Sequence, residues 1–229
     1  MKQKTILITG AAKHLGAHLA KTLGKQSAYR LVLHYHKSAD AIKKVAKQSN
    51  AVGYYQADLT QLDQVKTMFS KIGRVDILIN TVGNFIYKPL KETGAEELKA
   101  IMENNLLSAW YCIKEALPGM RKRRFGRIIN FGSVGCDQIT VRPLTTPYYM
   151  AKSSLLMLSK SLAREETKNG ISINMISPGV LAHGVLNNTK DVPTIPFESV
   201  GRTVLFLLDE KNAHLSGAHI EVSAGWRPE

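Results

Sequence analysis

Short apolar runs alternate with longer segments of helical periodicity along the whole chain, which leaves few folds open. Most runs are unbroken, as expected for parallel strands covered on both faces. We predict strands at Thr5–Thr9, Leu31–Tyr35, Val52–Gln56, Ile77–Asn80, Ile128–Phe131, Ile171–Ile176 and His219–Val222. Helices are predicted near Leu15–Leu23, Ala39–Lys47, Leu62–Lys71, Ala95–Met120, Tyr148–Lys168 and Val200–Leu208. The pattern predicts an α/β fold: one domain over residues 1–229, with a doubly wound parallel sheet of about seven strands and helices on both faces.

The composition is that of a globular chain, because 44% of the 229 residues are hydrophobic and 21% are charged. No apolar run approaches the length of about 18 residues that would suggest a membrane span. The N-terminal segment is too short to hold the apolar region of a secretory signal. Cys112 and Cys136 have no metal-type spacing, so we expect reduced thiols, a cytoplasmic location and no metal site.

The charge is strongly positive, with 31 Lys and Arg against 18 Asp and Glu. Such a field favours anionic partners such as nucleotide cofactors and acyl carriers. The densest run, Arg121–Arg124, fits either a contact with an acidic partner or a solvated helix end stabilised by the helix dipole. No aromatic residues interleave with this run, so we expect no nucleic-acid partner.

Ligands of doubly wound sheets bind beyond the carboxyl ends of the strands. The first such turn contains small residues, which let the backbone approach a pyrophosphate at the start of the following helix. The full GxGxxG pattern is absent, so this turn by itself also fits an ordinary glycine turn. Expected cofactor contacts in this turn are Thr9, Gly10, Ala12, Lys13, His14, Leu15 and Gly16.

Tyr148 and Lys152 are four residues apart and therefore share one face of a predicted helix. Thr146 is the expected N-cap of this helix, and Pro147 is its expected first residue. A lysine ammonium beside a phenol lowers the phenol pKa from about 10, which produces a usable general acid or base. By itself the spacing also fits an ordinary surface helix.

Taken in chain order, these features resemble the short-chain dehydrogenase/reductase family. The matching motifs are Thr9–Gly16, Asn80–Gly83, Ser133, Tyr148 with Lys152, and Pro178-Gly179. The resemblance extends from Thr5 to Trp226. It implies a Rossmann-like fold, an oxidoreductase with a nicotinamide cofactor, and a homodimer or homotetramer.

The resemblance also implies a role for each matching residue. Tyr148 would donate a proton to the substrate carbonyl oxygen, and Ser133 would hydrogen-bond that oxygen. Lys152 would hold the nicotinamide ribose and lower the pKa of Tyr148, while Asn105 would support a proton relay through water. Asp58 would meet the adenine ring. The remaining expected cofactor contacts are Leu59, Asn80, Val82, Gly83, Pro178 and Gly179, whereas Tyr149 and Asn104 are interpreted as structural.

Several residues depart from the family pattern. His14 stands where the family has glycine, and Ser133 lies two residues further from the tyrosine than is common, which makes Asp137 the alternative polar partner. His183 replaces a frequent threonine. The segment Leu181–Phe197 is short, which implies an open substrate site.

The cofactor expected from the second strand is NADP(H). No acid follows this strand before Asp40, whereas NAD-selective sites place one there to bind the ribose 2′-hydroxyl. Lys13, His36, Lys37 and Ser38 would instead receive a 2′-phosphate. The same residues also fit a solvated basic loop.

Two subgroups of the family share features with this chain. Residues 9–13 and 34–38 resemble pteridine reductases, in which Phe85 would stack on a pterin; Phe85 also fits a core position. Ser133 and Gly83 replace residues of that subgroup, so the substrate half resembles 3-oxoacyl-carrier-protein reductases. The leading hypothesis is NADPH-dependent reduction of a small or carrier-bound carbonyl substrate, most like a 3-oxoacyl thioester. The alternatives are pteridine reductase-like C=N reduction and a non-catalytic NADP-binding regulator, which the joint presence of the catalytic residues disfavours.

Overall fold

The computed structural model describes residues 3–181 and 192–228. The strands are β1 (Lys4–Thr9), β2 (Tyr29–Tyr35), β3 (Gly53–Gln56), β4 (Ile77–Asn80), β5 (Gly126–Phe131), β6 (Ile171–Pro178), β7 (Val180–Leu181), β8 (Thr194–Ile195) and β9 (His219–Val222). The helices are α1 (His14–Leu23), α2 (Ala39–Gln48), α3 (Leu62–Ile72), α4 (Ala95–Met102), α5 (Ser108–Arg123), α6 (Thr146–Glu166) and α7 (Phe197–Leu208). No helix in these ranges is long and apolar enough to cross a membrane.

Seven parallel strands form one sheet in the order β3-β2-β1-β4-β5-β6-β9. The order runs outward in one direction from β1 and in the other from β4, so the predicted doubly wound sheet is confirmed. The crevice between the ends of β1 and β4 is the switch point at which such sheets bind ligands.

The apolar strands bury both faces of the sheet. Ile6 and Ile8 of β1 pack with residues of α1, α2 and α7, whereas Leu7 between them packs with residues of α3 and α5. All three side chains are completely buried. Successive side chains of a strand point to opposite faces, so an unbroken apolar run is what a two-sided core requires.

The single helix predicted over Ala95–Met120 is wrong in one respect. The helical path continues, but a wide π-type turn at Glu103–Leu107 separates α4 from α5. Asn104 and Asn105 donate their side-chain amides to the carbonyls of Ala100 and Ile101, four residues earlier. Such side-chain bonds compete with the regular backbone ladder, and wide turns of this kind are frequent at functional sites.

The predicted start of α6 is wrong by one residue. Thr145 is the N-cap and Thr146 begins the helix, because the Thr146 hydroxyl donates to the Arg142 carbonyl at 2.6 Å instead of capping the helix. Pro147 is therefore the second helical residue. The expectation for His183, and most of that for the short segment Leu181–Phe197, lie outside the described residues.

The basic run at the end of α5 has internal partners. Arg121 Nε donates to Glu166 Oε2 at 3.0 Å, and Arg123 Nε donates to Asp76 Oδ1 at 2.9 Å. Arg124 Nη2 donates to the Lys168 carbonyl at 2.9 Å. These bonds join the end of α5 to neighbouring elements, which favours a structural role for the run.

We expect Asp76→Asn to lower the free energy of unfolding by about 2–4 kcal/mol, because it leaves two guanidinium groups without their anion. Asp76 is fully buried and accepts from Arg74, Arg123 and the Thr5 amide. Urea denaturation at neutral pH measures the change. Asp40→Asn is the matched control, since Asp40 is exposed and should change stability by less than about 0.5 kcal/mol. Equal effects of the two substitutions would contradict the structural role of the bonds between Asp76 and the two arginines.

Candidate active site

Hydrogen bonds hold the strand ends together at the switch point. The Thr81 amide donates to Thr9 Oγ1 at 3.1 Å, and the Thr81 hydroxyl donates back to the Thr9 carbonyl. One strand further, Asn80 Nδ2 donates to Asn130 Oδ1 at 2.9 Å. The side chains of Thr9 and Asn80, two predicted cofactor contacts, are thus used in joining strands.

The turn after β1 has little space for side chains. A Cβ atom on Gly16 would lie 2.5 Å from the Gly10 carbonyl oxygen, and Gly10 itself has φ 64°. Both positions therefore require glycine. Because neither Gly10 nor Gly16 carries a side chain, a ligand phosphate could approach the backbone of this turn at the N-terminus of α1.

The buried His34 of β2 supports this turn. The Gly10 amide donates to His34 Nδ1 at 3.0 Å, and the Ala11 amide donates to the His34 carbonyl at 2.9 Å. His34 Nε2 lies 3.0 Å from the Ala57 carbonyl, so the neutral tautomer with hydrogen on Nε2 satisfies both contacts. Burial lowers the pKa of His34 to about 4, so the ring is neutral at pH 7.

The predicted cofactor residues at the start of α1 differ in exposure. Lys13 is the N-cap and is exposed, while Leu15 is largely buried in the core. His14 has φ 49°, a left-handed conformation that explains why the family has glycine here. For a non-glycine residue this conformation costs about 1–2 kcal/mol.

The end of β2 lies beside the residues that follow β3. His36 Nε2 is 3.9 Å from Asp58 Oδ2, and Asp58 Oδ1 accepts from the amide and hydroxyl of Thr60. Burial raises the pKa of Asp58, but the two bonds from Thr60 together with nearby positive charge hold the pKa below its usual value. Lys37 contributes in the same direction, and the Ser38 side chain makes no capping hydrogen bond to α2. Leu59 is almost completely buried, so a ligand would meet only its backbone.

A cavity of about 840 Å³ lies beyond the carboxyl ends of β5 and β6. Its wall includes six of the predicted residues, namely Gly83, Phe85, Ser133, Tyr148, Pro178 and Gly179. Tyr149 and Arg142 also line it, although the sequence did not indicate them. Ser133 Oγ donates to Tyr149 Oη at 3.2 Å, and Tyr149 Oη donates to the Val134 carbonyl at 2.9 Å. Tyr149 is therefore part of the polar wall, so its structural interpretation was incomplete.

Three side chains on one face of α6 hold the turn after β5. Tyr149 donates to the Val134 carbonyl, Lys152 Nζ to the Phe131 carbonyl at 2.8 Å, and Ser153 Oγ to the Cys136 carbonyl at 2.7 Å. These bonds bring Ser133 to the tyrosines despite the longer loop. Asp137 is exposed and does not line the cavity, so the structure favours Ser133 over this alternative.

The expected effect of Lys152 on Tyr148 is not what the structure shows. Lys152 is buried, and its ammonium binds the Phe131 carbonyl, 5.6 Å from the centre of the Tyr148 ring. Burial lowers the pKa of Lys152 to about 8. Burial raises the pKa of Tyr148 above its usual value, and the Ser133 hydroxyl opposes this rise. The lysine is therefore near the phenol without lowering its pKa in this arrangement.

Asn105 reaches the same region from the wide turn. Its Nδ2 donates to the carbonyls of Ile101 and Asn84, while its buried Oδ1 has no hydrogen-bond partner among the described residues. A Cβ atom on Gly83 would lie 2.5 Å from this Oδ1 and 3.3 Å from Lys152 Nζ. The absence of a side chain at Gly83 thus leaves just enough space for the acceptor Asn105 Oδ1 and the Lys152 ammonium. Asn105 Oδ1 could therefore accept a hydrogen bond from a water or hydroxyl of a proton relay.

Phe85 is a wall residue of the cavity. Its ring lies edge-on to Tyr148 with 4.9 Å between centroids, and it is half-buried. The stacked neighbour Tyr87 lies 6.4 Å away. These contacts favour a substrate-facing position over the alternative of a core position.

One group of possible metal ligands was not foreseen. Ligand atoms of Asp137, His219 and Glu221 lie within 4.8 Å of one another. Glu221 already accepts from the Gly135 amide at 2.7 Å and from Arg227 at 3.1 Å. The expectation of no metal site stays a prediction.

The sequence could have indicated one of the two unforeseen residues, His34, but not the other, Arg142. His34 is a polar residue at a buried place in an apolar strand, and such a residue needs partners. This signal was available in the sequence. Arg142 lies in a long loop without periodicity, so nothing in the sequence indicated its burial.

Comparisons with known proteins agree with this geometry. The family model described as short chain dehydrogenase matches residues 4–192. The D-beta-hydroxybutyrate dehydrogenase of Rhizobium meliloti is 28% identical, with 97% of this chain and 98% of that protein covered. The 3-oxoacyl-(acyl-carrier-protein) reductase of Haemophilus influenzae is 30% identical, with 98% of both covered. A solved structure from Bacillus thuringiensis, assigned as a 3-oxoacyl-reductase, has a TM-score of 0.87 at 27% identity over 99% of both chains.

We expect His34→Leu to weaken cofactor binding by about tenfold or more, because the Gly10 amide loses its acceptor. The substitution should also change the pH dependence of stability. The folded-state pKa of about 4 lies below the unfolded value near 6.5, so the unfolded state takes up the proton first as the pH falls. The contribution of His34 is therefore full above pH 6.5 and is lost towards pH 4, by at most about 3 kcal/mol.

Urea denaturation of wild type and variant between pH 7 and 4 measures this effect as a difference, in which the other titrating groups cancel. His214→Leu is the control, since His214 is exposed. A gap between wild type and His34→Leu that stays constant over this pH range would show that His34 is not buried in its neutral form.

Proposed function

The chain belongs to the short-chain dehydrogenase family and is an oxidoreductase acting on C=O and CH–OH groups; from this we propose that it reduces the keto group of a 3-oxoacyl thioester with NADPH. The observation that carries the proposal is the joint presence of Ser133, Tyr148 and Phe85 in the wall of one cavity. The names of two relatives support the 3-oxoacyl group as the substrate class.

The described residues fit a dinucleotide. Gly10 and Gly16 leave room for a pyrophosphate, and Asn105 Oδ1 and Lys152 Nζ converge beside Gly83, which lines the cavity. When bound, the reduced nicotinamide supplies the hydride. We propose that Lys152 binds the ribose hydroxyls, since burial keeps its ammonium away from bulk water.

The keto oxygen would lie against two hydroxyl donors. We propose that Ser133 and Tyr148 hydrogen-bond this oxygen, and that Tyr148 gives its proton to the oxygen as negative charge develops. The raised pKa of Tyr148 supports the role of a proton donor, because the phenol stays protonated at neutral pH. The acceptor at Asn105 would hold the water that returns the proton.

The family uses NAD(P)(H), and we propose NADPH for this chain. The end of β2 presents His36, Lys37 and a Ser38 hydroxyl that does not cap α2. Lys13 lies at the N-cap of α1 on the adjacent turn. Asp58 Oδ1 already accepts from the amide and the hydroxyl of Thr60, and its Oδ2 lies 3.9 Å from His36 Nε2, so this carboxylate has local partners.

We further propose a cytoplasmic homodimer or homotetramer. Cys112 and Cys136 are both free and buried, as is usual in reducing compartments. Met157 of α6 and Phe206 of α7 are exposed large apolar residues, which an interface between copies would cover. Size-exclusion chromatography with light scattering tests the oligomeric state.

A panel assay that follows NADPH absorbance tests the activity, with 3-oxoacyl thioesters, dihydropteridines, quinones and small ketones as substrates. We expect turnover with 3-oxoacyl compounds and a loss of about 10²- to 10⁴-fold in kcat for Tyr148→Phe, because the proton donor is removed. Cofactor affinity should stay near that of wild type.

Tyr149→Phe is the matched control for this substitution. It removes a neighbouring phenol that bonds Ser133 and Val134, and we expect a loss of no more than about tenfold. Preferential turnover of dihydropteridines would support the pteridine reductase alternative. Absence of turnover across the panel, together with tight NADPH binding, would support the regulator.

We expect wild type to bind NADPH about tenfold to a few hundredfold more tightly than NADH, because charge-assisted bonds to a phosphate are strong but are screened at exposed lysines. Lys37→Asp should erase or reverse this preference. Titration of both cofactors measures it. Lys44→Asp is the control, since it makes the same charge change on the exposed surface of α2. Equal affinities in wild type, or equal effects of the two substitutions, would contradict the 2′-phosphate site.

A further inference from the structure

Arg142 is a buried guanidinium in the wall of the catalytic cavity. Its side chain is only 7% exposed. Its Nη1 donates to the Pro228 carbonyl at 3.0 Å, and its Cζ lies 4.1 Å from the centre of the Tyr149 ring. Its Nε is buried without a hydrogen-bond partner among the described residues. Most of the five donors of this group are therefore left for another acceptor.

The charge of Arg142 is also unbalanced. Within residues 3–181 and 192–228, no carboxylate lies within 4.0 Å of it. The other arginine of the cavity wall, Arg227, pairs with Glu221 at 3.1 Å. A buried charge without a counterion is costly, so its retention in a cavity points to an anionic ligand.

A comparison with Arg127 distinguishes an arginine that is buried for structural reasons from one that is placed to bind a ligand. Arg127 is similarly buried and also has an unpartnered Nε. However, its Nη1 reaches the carbonyls of Gly126 and Gly170, and it does not line the cavity. Of these two arginines, only Arg142 lies where a substrate can reach it.

The Tyr149 ring separates the Arg142 guanidinium from the Ser133 hydroxyl. The Tyr149 ring on which it stacks places its own hydroxyl 3.2 Å from Ser133 Oγ, and this ring is 5.8 Å from that of Tyr148. A substrate whose keto oxygen meets Ser133 and Tyr148 would thus bring atoms a few bonds away to the guanidinium.

We infer that Arg142 is an anion subsite of this cavity, which extends the substrates to free oxo acids whose carboxylate lies a few bonds from the ketone. The inference rests on the proposed function for the ketone and adds free acids to the thioesters proposed there. A carboxylate accepts two parallel bonds from a guanidinium and neutralises it, whereas a thioester carbonyl is neutral. Burial keeps the pair from being screened by salt.

The test compares acetoacetate with methyl acetoacetate, which has the same ketone but no charge. With NADPH, we expect wild type to show a higher kcat/KM for acetoacetate by about tenfold or more. Arg142→Gln should lower kcat/KM for acetoacetate by about 10- to 100-fold and change that for the ester by less than about threefold. Arg142→Lys, which keeps the charge, should retain part of the preference. Arg164→Gln on the exposed surface of α6 is the control for long-range charge and should leave the ratio unchanged.

Binding separates this inference from the proposed function. Calorimetric titration of both probes into the NADP⁺-bound enzyme should show acetoacetate binding that Arg142→Gln loses, even if neither probe is turned over. That result without turnover of any carbonyl would overturn the proposed reduction and keep the anion site. Equal affinity and equal kcat/KM for the two probes in wild type, or an equal loss for both in the variant, would overturn the anion site. If Arg142→Gln fails to fold, wild type and the charge-preserving Arg142→Lys decide: equal affinity for the two probes in both proteins would overturn the inference.

Discussion

The hydrogen bonds from one face of α6 to the turn after β5 determine the shape of the cavity wall that holds Ser133 and Tyr148. Tyr149, Lys152 and Ser153 reach three carbonyls of Phe131, Val134 and Cys136. Because the helix is rigid, the turn cannot move without breaking these bonds together. They fix where the Ser133 hydroxyl lies, and they hold the buried Lys152 ammonium at the Phe131 carbonyl.

The rest of the site depends on the carboxyl ends of the strands, to which this wall is attached. Thr9 and Thr81 join the ends of β1 and β4, and the neutral His34 ring joins the glycine turn to the end of β3. Both are contacts between polar groups that the sheet has already buried, so they fix geometry at little further cost in hydration. The glycine turn after β1 and the cavity wall after β5 are thus each held in place by buried hydrogen bonds at the carboxyl ends of the strands.

The sequence predicted most of the fold because β-strands buried on both faces produce apolar runs that are easy to recognise. The resemblance to the family named Tyr148, Lys152 and Ser133 as catalytic, and the structure places Ser133 and Tyr148 in the wall of one cavity. The sequence missed the wide turn at Glu103–Leu107, where side-chain amides compete for backbone carbonyls. It also predicted that Lys152 lowers the pKa of Tyr148, because the spacing of four residues shows proximity but not the stronger acceptor at Phe131. Arg142 has no carboxylate partner within residues 3–181 and 192–228; this depends on which groups the long loop brings together, and no local pattern encodes it.

The wide turn has a consequence for the phase of the helix that follows it. In an evenly wound helix, Asn105 and Cys112 would lie on one face, being seven residues apart. The extra residue rotates α5 by roughly a quarter turn relative to α4. Cys112 and Ile113 can then pack on the sheet while Asn105 faces Gly83 and Lys152. The position of Asn105, which we propose for the proton relay, is therefore linked to the packing of the core: even winding through this turn would rotate the apolar face of α5 out of its place on the sheet.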